Sequence, residues 1–154
     1  MNAPNSRKDT NLIIRHDSQR LQTGNPVIFF DGVCNLCNCS VHFILRHDKR
    51  KVFVFTSLQS DLGKHFISAS GLSGLSPESV ILYENGHIHS HSDAIIRIAE
   101  ILGGLYKMVI VFRIIPKSIR DALYNFIASH RYYWFGKRES CMIPGPGLSD
   151  RFLT

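Results

Sequence analysis

At 154 residues, 44% of them apolar and 19% charged, the chain has the make-up of one globular domain, long enough to bury a core without covalent staples. No apolar run reaches the ~18 residues of a bilayer span, and the polar residues 1–24 lack the apolar stretch of a secretory signal, so a cytoplasmic chain with reduced thiols is predicted. The net charge of +6 is uneven, with four basic and two acidic side chains in 1–24, six and seven in 25–104, and eight and three in 105–154, and it reads as solvated charge at the two ends rather than a nucleic-acid footprint.

In chain order, Pro26 to Phe30 is short, β-prone and apolar without alternation, which predicts a strand buried on both faces. Asp31-Gly32 breaks it. A helix is expected from Asn35 to about His47, with Cys37, Val41, Ile44 and Leu45 on one apolar face. Val52 to Phe55 is a second buried strand, and a right-handed crossover makes the pair parallel. Ser57 is read as the cap of a second helix, in which Leu58, Leu62 and Phe66 recur every four residues and Gly63 is a weak point. Residues 67–77, rich in Ser and Gly, read as a loop.

Residues 79–84 and 87–90 flank Asn85-Gly86, the preferred two-residue hairpin turn, and form an antiparallel pair. Ser92-Asp93 opens a third helix whose buried face is Ile95, Ile98, Ala99 and Leu102, closed by Gly103-Gly104. From Leu105 on the pattern is helical. Leu105, Met108, Val109 and Phe112 precede Pro116, and Ile119, Leu123, Phe126 and Ile127 follow it, as two amphipathic helices that must bury those faces on the domain or on a partner.

The chemistry-bearing residues cluster after the first strand. Cys34 and Cys37 are one helical turn apart, so their sulfurs can form a disulfide or face one external atom. Cys34 stands at the helix start, where unpaired N–H groups and the dipole favour a thiolate, and is the exposed attacking thiol in a redox reading; Cys37, on the apolar face, resolves. Asp31 has two readings, a general base for the proton of Cys37 or an Asx turn with Gly32. Cys39 points about 140° from Cys34 and about 200° from Cys37 on a helix, so it is read as a buried thiol packed beside Phe43. Cys141 lies in a Pro/Gly-rich stretch and reads as a free or packed thiol, and His87, His89 and His91 as a solvated strand face rather than a metal site.

The order β-α-β-α-β-β-α is thioredoxin-like, and the chain resembles the DCC family of thiol-disulfide oxidoreductases, named for Asp-x-x-Cys-x-x-Cys. Here the signature is Asp31, Cys34 and Cys37. The resemblance continues through Phe53-Val54-Phe55, Leu58-Gln59-Ser60, Ser79-Val80-Ile81-Leu82, Ser92-x-Ala94 and Leu102-Gly103-Gly104. Further on it takes in Pro116, Ile119-Arg120-Asp121 with Tyr124, Ile127-Ala128, Arg131-Tyr132-x-Trp134-Phe135-Gly136 and Cys141-x-x-Pro144. It implies a thioredoxin-like fold with a redox dithiol at Cys34 and Cys37. The Arg-Asp and Arg-Tyr-x-Trp-Phe-Gly segments are assigned to packing of the C-terminal extension. One departure from thioredoxins concerns the cis-proline that precedes their third core strand. Pro77 falls about one position too early, with Glu78 or Ser79 in that place, which bears on peptide recognition and not on the dithiol.

The resulting expectation is a four-stranded mixed sheet with a C-terminal helical extension. Residues 1–24 form a flexible polar tail, 25–104 the thioredoxin-like domain, 105–136 the helical extension packed on it, and 137–154 an irregular tail. The function expected is thiol-disulfide oxidoreduction by Cys34 and Cys37, assisted by Asp31. No cofactor, metal or nucleic acid is required, no stable membrane insertion is expected, and the partner is an unidentified disulfide or thiol, protein or small molecule. The alternatives are a non-catalytic metal- or protein-binding module using the same cysteines, and an interaction module for membrane or nucleic acid built on the basic C-terminal helices.

Overall fold

The computed structural model describes residues 24–71, 79–138 and 149–153. The tail expected in residues 1–24, apart from Gly24, and also Pro77, Glu78 and Cys141 lie outside the described residues. Strand β1 (Val27–Phe30) leads into helix α1 (Asn35–His47), then β2 (Val54–Ser57), α2 (Asp61–Ala69), β3 (Ile81–Glu84), β4 (His87–Ser90) and α3 (His91–Leu102). A 3-10 segment (Gly104–Ile114) and helix α4 (Lys117–Phe135) follow, and a short turn reaches β5 (Phe152–Leu153).

The sheet order is β4-β3-β1-β2-β5. β1 lies parallel to β2 from Val27 beside Val54 to Phe30 beside Ser57, and antiparallel to β3 with Ile28 beside Leu82. This is a thioredoxin-like α/β arrangement. The fully apolar β1 is explained by its central position, because successive side chains point to opposite faces and both are covered. Ile28 and Phe30 enter a core with Val41, Ile44, Phe55, Ala94 and Ile98, under α1 and α3. Val27 and Phe29 enter a second with Leu58, Leu62 and Ile81, under α2.

The sheet gains a fifth strand beyond the four expected. β5 pairs in parallel with β2, Phe55 beside Phe152 and Thr56 beside Leu153, so part of the C-terminal stretch read as irregular belongs to the sheet. A two-residue strand has too short a pattern to be read from sequence. Arg151 secures it, donating to Phe53 O at 3.0 Å and to Asp48 Oδ2 at 2.5 Å.

Helix α2 starts later than expected. Ser57 belongs to β2, and the cap is Ser60, whose Oγ accepts the Gly63 N–H at 3.1 Å. Gly63 is required rather than weak, since a Cβ there would lie 2.3 Å from Ser57 O. In the hairpin, Asn85 and Gly86 have φ of 49° and 81°, the left-handed geometry that such a turn demands. The buried face of α3 is Ala94, Ile96, Ile98 and Ala99, rotated from the expected one, and Ile95 is exposed.

The largest departure is in the extension. The first of its two expected helices is a 3-10 segment with no buried residue. On α4 the residues expected to be buried on the domain or on a partner, Ile119, Leu123, Phe126 and Ile127, are not buried on the domain. Its inner side is polar instead. Arg120 donates to Ser92 Oγ at 3.1 Å and Asp93 Oδ1 at 3.0 Å, Asp121 accepts from Ser92 Oγ at 2.5 Å, and Tyr124 OH accepts the Val80 N–H at 2.9 Å. The Arg-Asp segment assigned to packing is a hydrogen-bonded clamp on the start of α3.

Candidate functional site

The site lies where β1 ends and α1 begins. Cys34 is the N-cap of α1 in extended conformation, and its Sγ accepts the Cys37 N–H at 3.5 Å, so the two cysteines lie close together across the first turn. The sequence reading anticipates this placement. It does not anticipate the burial of Cys34, which is 0% exposed where an exposed attacking thiol is expected. The cover is the chain leaving α4. Lys137 forms an antiparallel bridge with Cys34, Arg138 N donates to Val33 O at 2.8 Å, and Asn35 Nδ2 donates to Phe135 O at 2.8 Å.

Cys37 is 6% exposed, and its pKa is pushed up to about 12. Burial is the main cause, because a thiolate there is poorly solvated; the neighbouring Cys34 adds to it by charge and hydrogen bonding, and Arg131 opposes it. Cys39, turned away from both as helical geometry requires, is exposed, which corrects the expectation of a buried thiol. It lines a surface groove together with Phe43.

Asp31 is 1% exposed and every side of its carboxylate is engaged. Oδ1 accepts from Val33 N at 3.2 Å, the Asx turn, and from Gln59 Nε2 at 2.8 Å. Oδ2 accepts from Arg131 Nη2 at 2.6 Å and from the Tyr132 hydroxyl. Tyr132 has its pKa pushed up to about 12 by burial and by that bond to Asp31. Gln59 Oε1 also takes the Gly32 N–H at 3.0 Å, so the turn carrying the cysteines is held from both sides of the Asp31 side chain.

Arg131, Tyr132 and Gln59 are members of this site that the reading of motifs did not single out. Their signal was the Leu58-Gln59-Ser60 and Arg131-Tyr132-x-Trp134-Phe135-Gly136 segments, which carry no chemistry until folding brings them to Asp31. The three histidines do not share a strand face. His87 bonds to Asn85 O, and His91 starts α3 and contacts Ser79 and Ser90. Among the described residues no group of three or more His, Cys, Asp or Glu side chains is placed to hold a metal ion.

Residues 28–137 match the family model described as DCC1-like thiol-disulfide oxidoreductase. The uncharacterized protein YuxK of Bacillus subtilis is 42% identical over 132 residues, covering 86% of this chain and 96% of that one. A chloroplastic DCC family protein of Arabidopsis thaliana is 34% identical over 135 residues, covering 87% and 75%. No solved structure matches at a significant level. With a family model spanning most of its length and a dithiol at the start of α1 in a thioredoxin-like sheet, the chain belongs to the DCC1-like thiol-disulfide oxidoreductase family.

Proposed function

We propose that this protein is an enzyme that exchanges two electrons with a disulfide or thiol partner through Cys34 and Cys37. The observation that carries the reading is the Cys37 N–H aimed at Cys34 Sγ at 3.5 Å across the first turn of α1, which sets the two cysteines within reach of each other. In the reducing direction the Cys34 thiolate attacks a substrate disulfide. A Cys34–substrate bond forms, the substrate S–S bond breaks, and one substrate thiol departs with the electron pair and takes up a proton. Cys37 then loses its proton and attacks Cys34 Sγ, releasing the second thiol and leaving a Cys34–Cys37 disulfide.

The surroundings of Cys37 suit this order. Burial holds the Cys37 proton first and Cys34 second; the charge contribution of Cys34 is lost once it is in a mixed disulfide, while burial and the opposed charges of Arg131 and Asp31 remain. Asp31 is assigned as a positioning residue rather than a base, since both of its oxygens are already occupied by donors. Because Cys34 is covered, substrate access requires the Lys137-Arg138 segment to move aside. A reducing compartment such as the cytoplasm would keep the pair ready as a dithiol.

Reduction of insulin or of a small disulfide by wild type and by Cys34→Ser tests the reading. Wild type turns over and Cys34→Ser does not; equal rates in both would refute it.

A further inference from the structure

Helix α4 is mounted with its polar side inward. Arg120, Asp121, Tyr124, Arg131 and Tyr132 bond to the domain, while Ile119, Leu123, Phe126 and Trp134 are left 61%, 61%, 52% and 50% exposed. The preceding 3-10 segment adds Leu105 at 80% and Ile114 at 84%. The two elements share one groove of about 320 Å³ whose walls include Phe112, Ile115, Ile119, Leu123 and Ile127. This many exposed apolar side chains on two adjoining elements mark an interaction surface.

Charge selects the partner. Residues 104–138 hold seven Lys and Arg against one carboxylate, Asp121; Arg120 and Arg131 are turned to the domain, as is Asp121, which leaves Lys107, Arg113, Lys117, Lys137 and Arg138 to set the charge around the face. The nearby Asp93 and Glu100 are consumed in ion pairs with Lys117 and Arg120 and with Arg97 and Arg113. Lys107, Lys137 and Arg138 have no carboxylate partner among the described residues. A second copy packed on this face about a two-fold axis would set like charges against each other. An anionic lipid surface would meet them with the opposite sign. Tyr133, 88% exposed, and Trp134 are the side chains that favour the boundary between lipid and water. Among the described residues no helix is long and apolar enough to cross a membrane, so the face would lie along the surface.

We infer that the face formed by residues 104–114 and the outer side of α4 docks this protein on an anionic phospholipid membrane. Neither the docking nor its test depends on the dithiol reaction. Docking would set the dithiol near the membrane, because Lys137, two residues beyond the end of the same helix, bridges Cys34.

The full chain is mixed with vesicles of phosphatidylcholine alone, or with roughly one third phosphatidylglycerol added, and followed by flotation and by fluorescence of Trp134, the single tryptophan. The protein floats with the anionic vesicles and the Trp134 emission shifts to the blue, and raising salt to about 0.5 M weakens both. Lys107→Gln lowers partitioning about fivefold. The pair Leu105→Glu with Ile114→Glu lowers it at least tenfold while leaving the circular dichroism spectrum unchanged, both side chains being too exposed to serve the core. Equal binding to neutral and anionic vesicles would overturn the inference. So would failure to bind either, and in that case a dimer in sedimentation that the same pair of glutamates dissolves would assign the face to a second copy.

Discussion

Arg131 crosses one hundred residues of sequence to place Nη2 2.6 Å from Oδ2 of Asp31, with both side chains removed from water. The pair ties the last turns of α4 to the turn that presents the dithiol, and Tyr132 and Gln59 complete the shell around the carboxylate. A helix that buries little else is thereby held against the end of the domain that carries Cys34 and Cys37.

Removing one charge of such a pair leaves the other buried without compensation. Arg131→Met is expected to lower stability by about 3–5 kcal/mol. Asp31→Asn also destabilises, since it removes the carboxylate charge that faces the buried guanidinium. The double variant should lose at least about 1 kcal/mol less than the sum of the two, because each single change already forfeits the shared contact. Urea unfolding of the four proteins measures the coupling, and strict additivity would mean that the ion pair contributes nothing.

The order of attack can be trapped. Cys37→Ser should accumulate a mixed disulfide at Cys34 when offered a small disulfide, since the resolving sulfur is gone, whereas Cys34→Ser should not accumulate one at Cys37. Peptide mapping by mass spectrometry locates the adduct. An adduct at Cys37 in both would reverse the roles.

The reduced protein should lose stability in alkali through Cys37. An unfolded thiol releases its proton near pH ~8.5, whereas burial holds the folded one up to about 12. Between these values the unfolded chain binds fewer protons than the folded one. Stability is therefore full below ~8.5 and falls as pH rises, by at most about 1.4 kcal/mol per pH unit. Tyr132 adds the same sign of effect only above its ordinary value near ~10. Urea midpoints at about pH 8, 9 and 10 should decline in wild type and stay nearly level in Cys37→Ala.

Access to Cys34 is set by the chain that leaves α4. Gly136 has φ of 79°, and a Cβ there would lie 3.2 Å from Asn35 Nδ2, so Gly136→Ala strains the turn that closes over the thiol. With about 1 kcal/mol of strain, opening should become about fivefold more frequent. The rate of Cys34 alkylation in the reduced protein, read by mass spectrometry, should rise accordingly; an unchanged rate would show that this turn does not control access.

What the sequence by itself determined is whatever rests on local pattern. The alternate faces of β1, the Asn85-Gly86 turn, α1 at Asn35–His47 and the placement of Cys34 and Cys37 on its first turn follow from residue period, turn chemistry and helix geometry over a few positions. The helical turn also separated Cys39 from the dithiol, although it could not say that Cys39 would be exposed. What only the tertiary structure decided depends on which distant segment arrives. A two-residue β5 has no period, so its pairing with Phe55 and Thr56 rests on Arg151 reaching Asp48 and Phe53. Helix α4 has apolar residues at helical spacing, but periodicity shows that a face exists and not which way it points. Arg120, Asp121, Tyr124 and Arg131 bond to the domain, and those bonds turn the apolar face outward. For the same reason Asp31, ambiguous between base and turn in the sequence, gains its meaning from Arg131 and Tyr132. A buried carboxylate takes its role from the charges and donors that surround it.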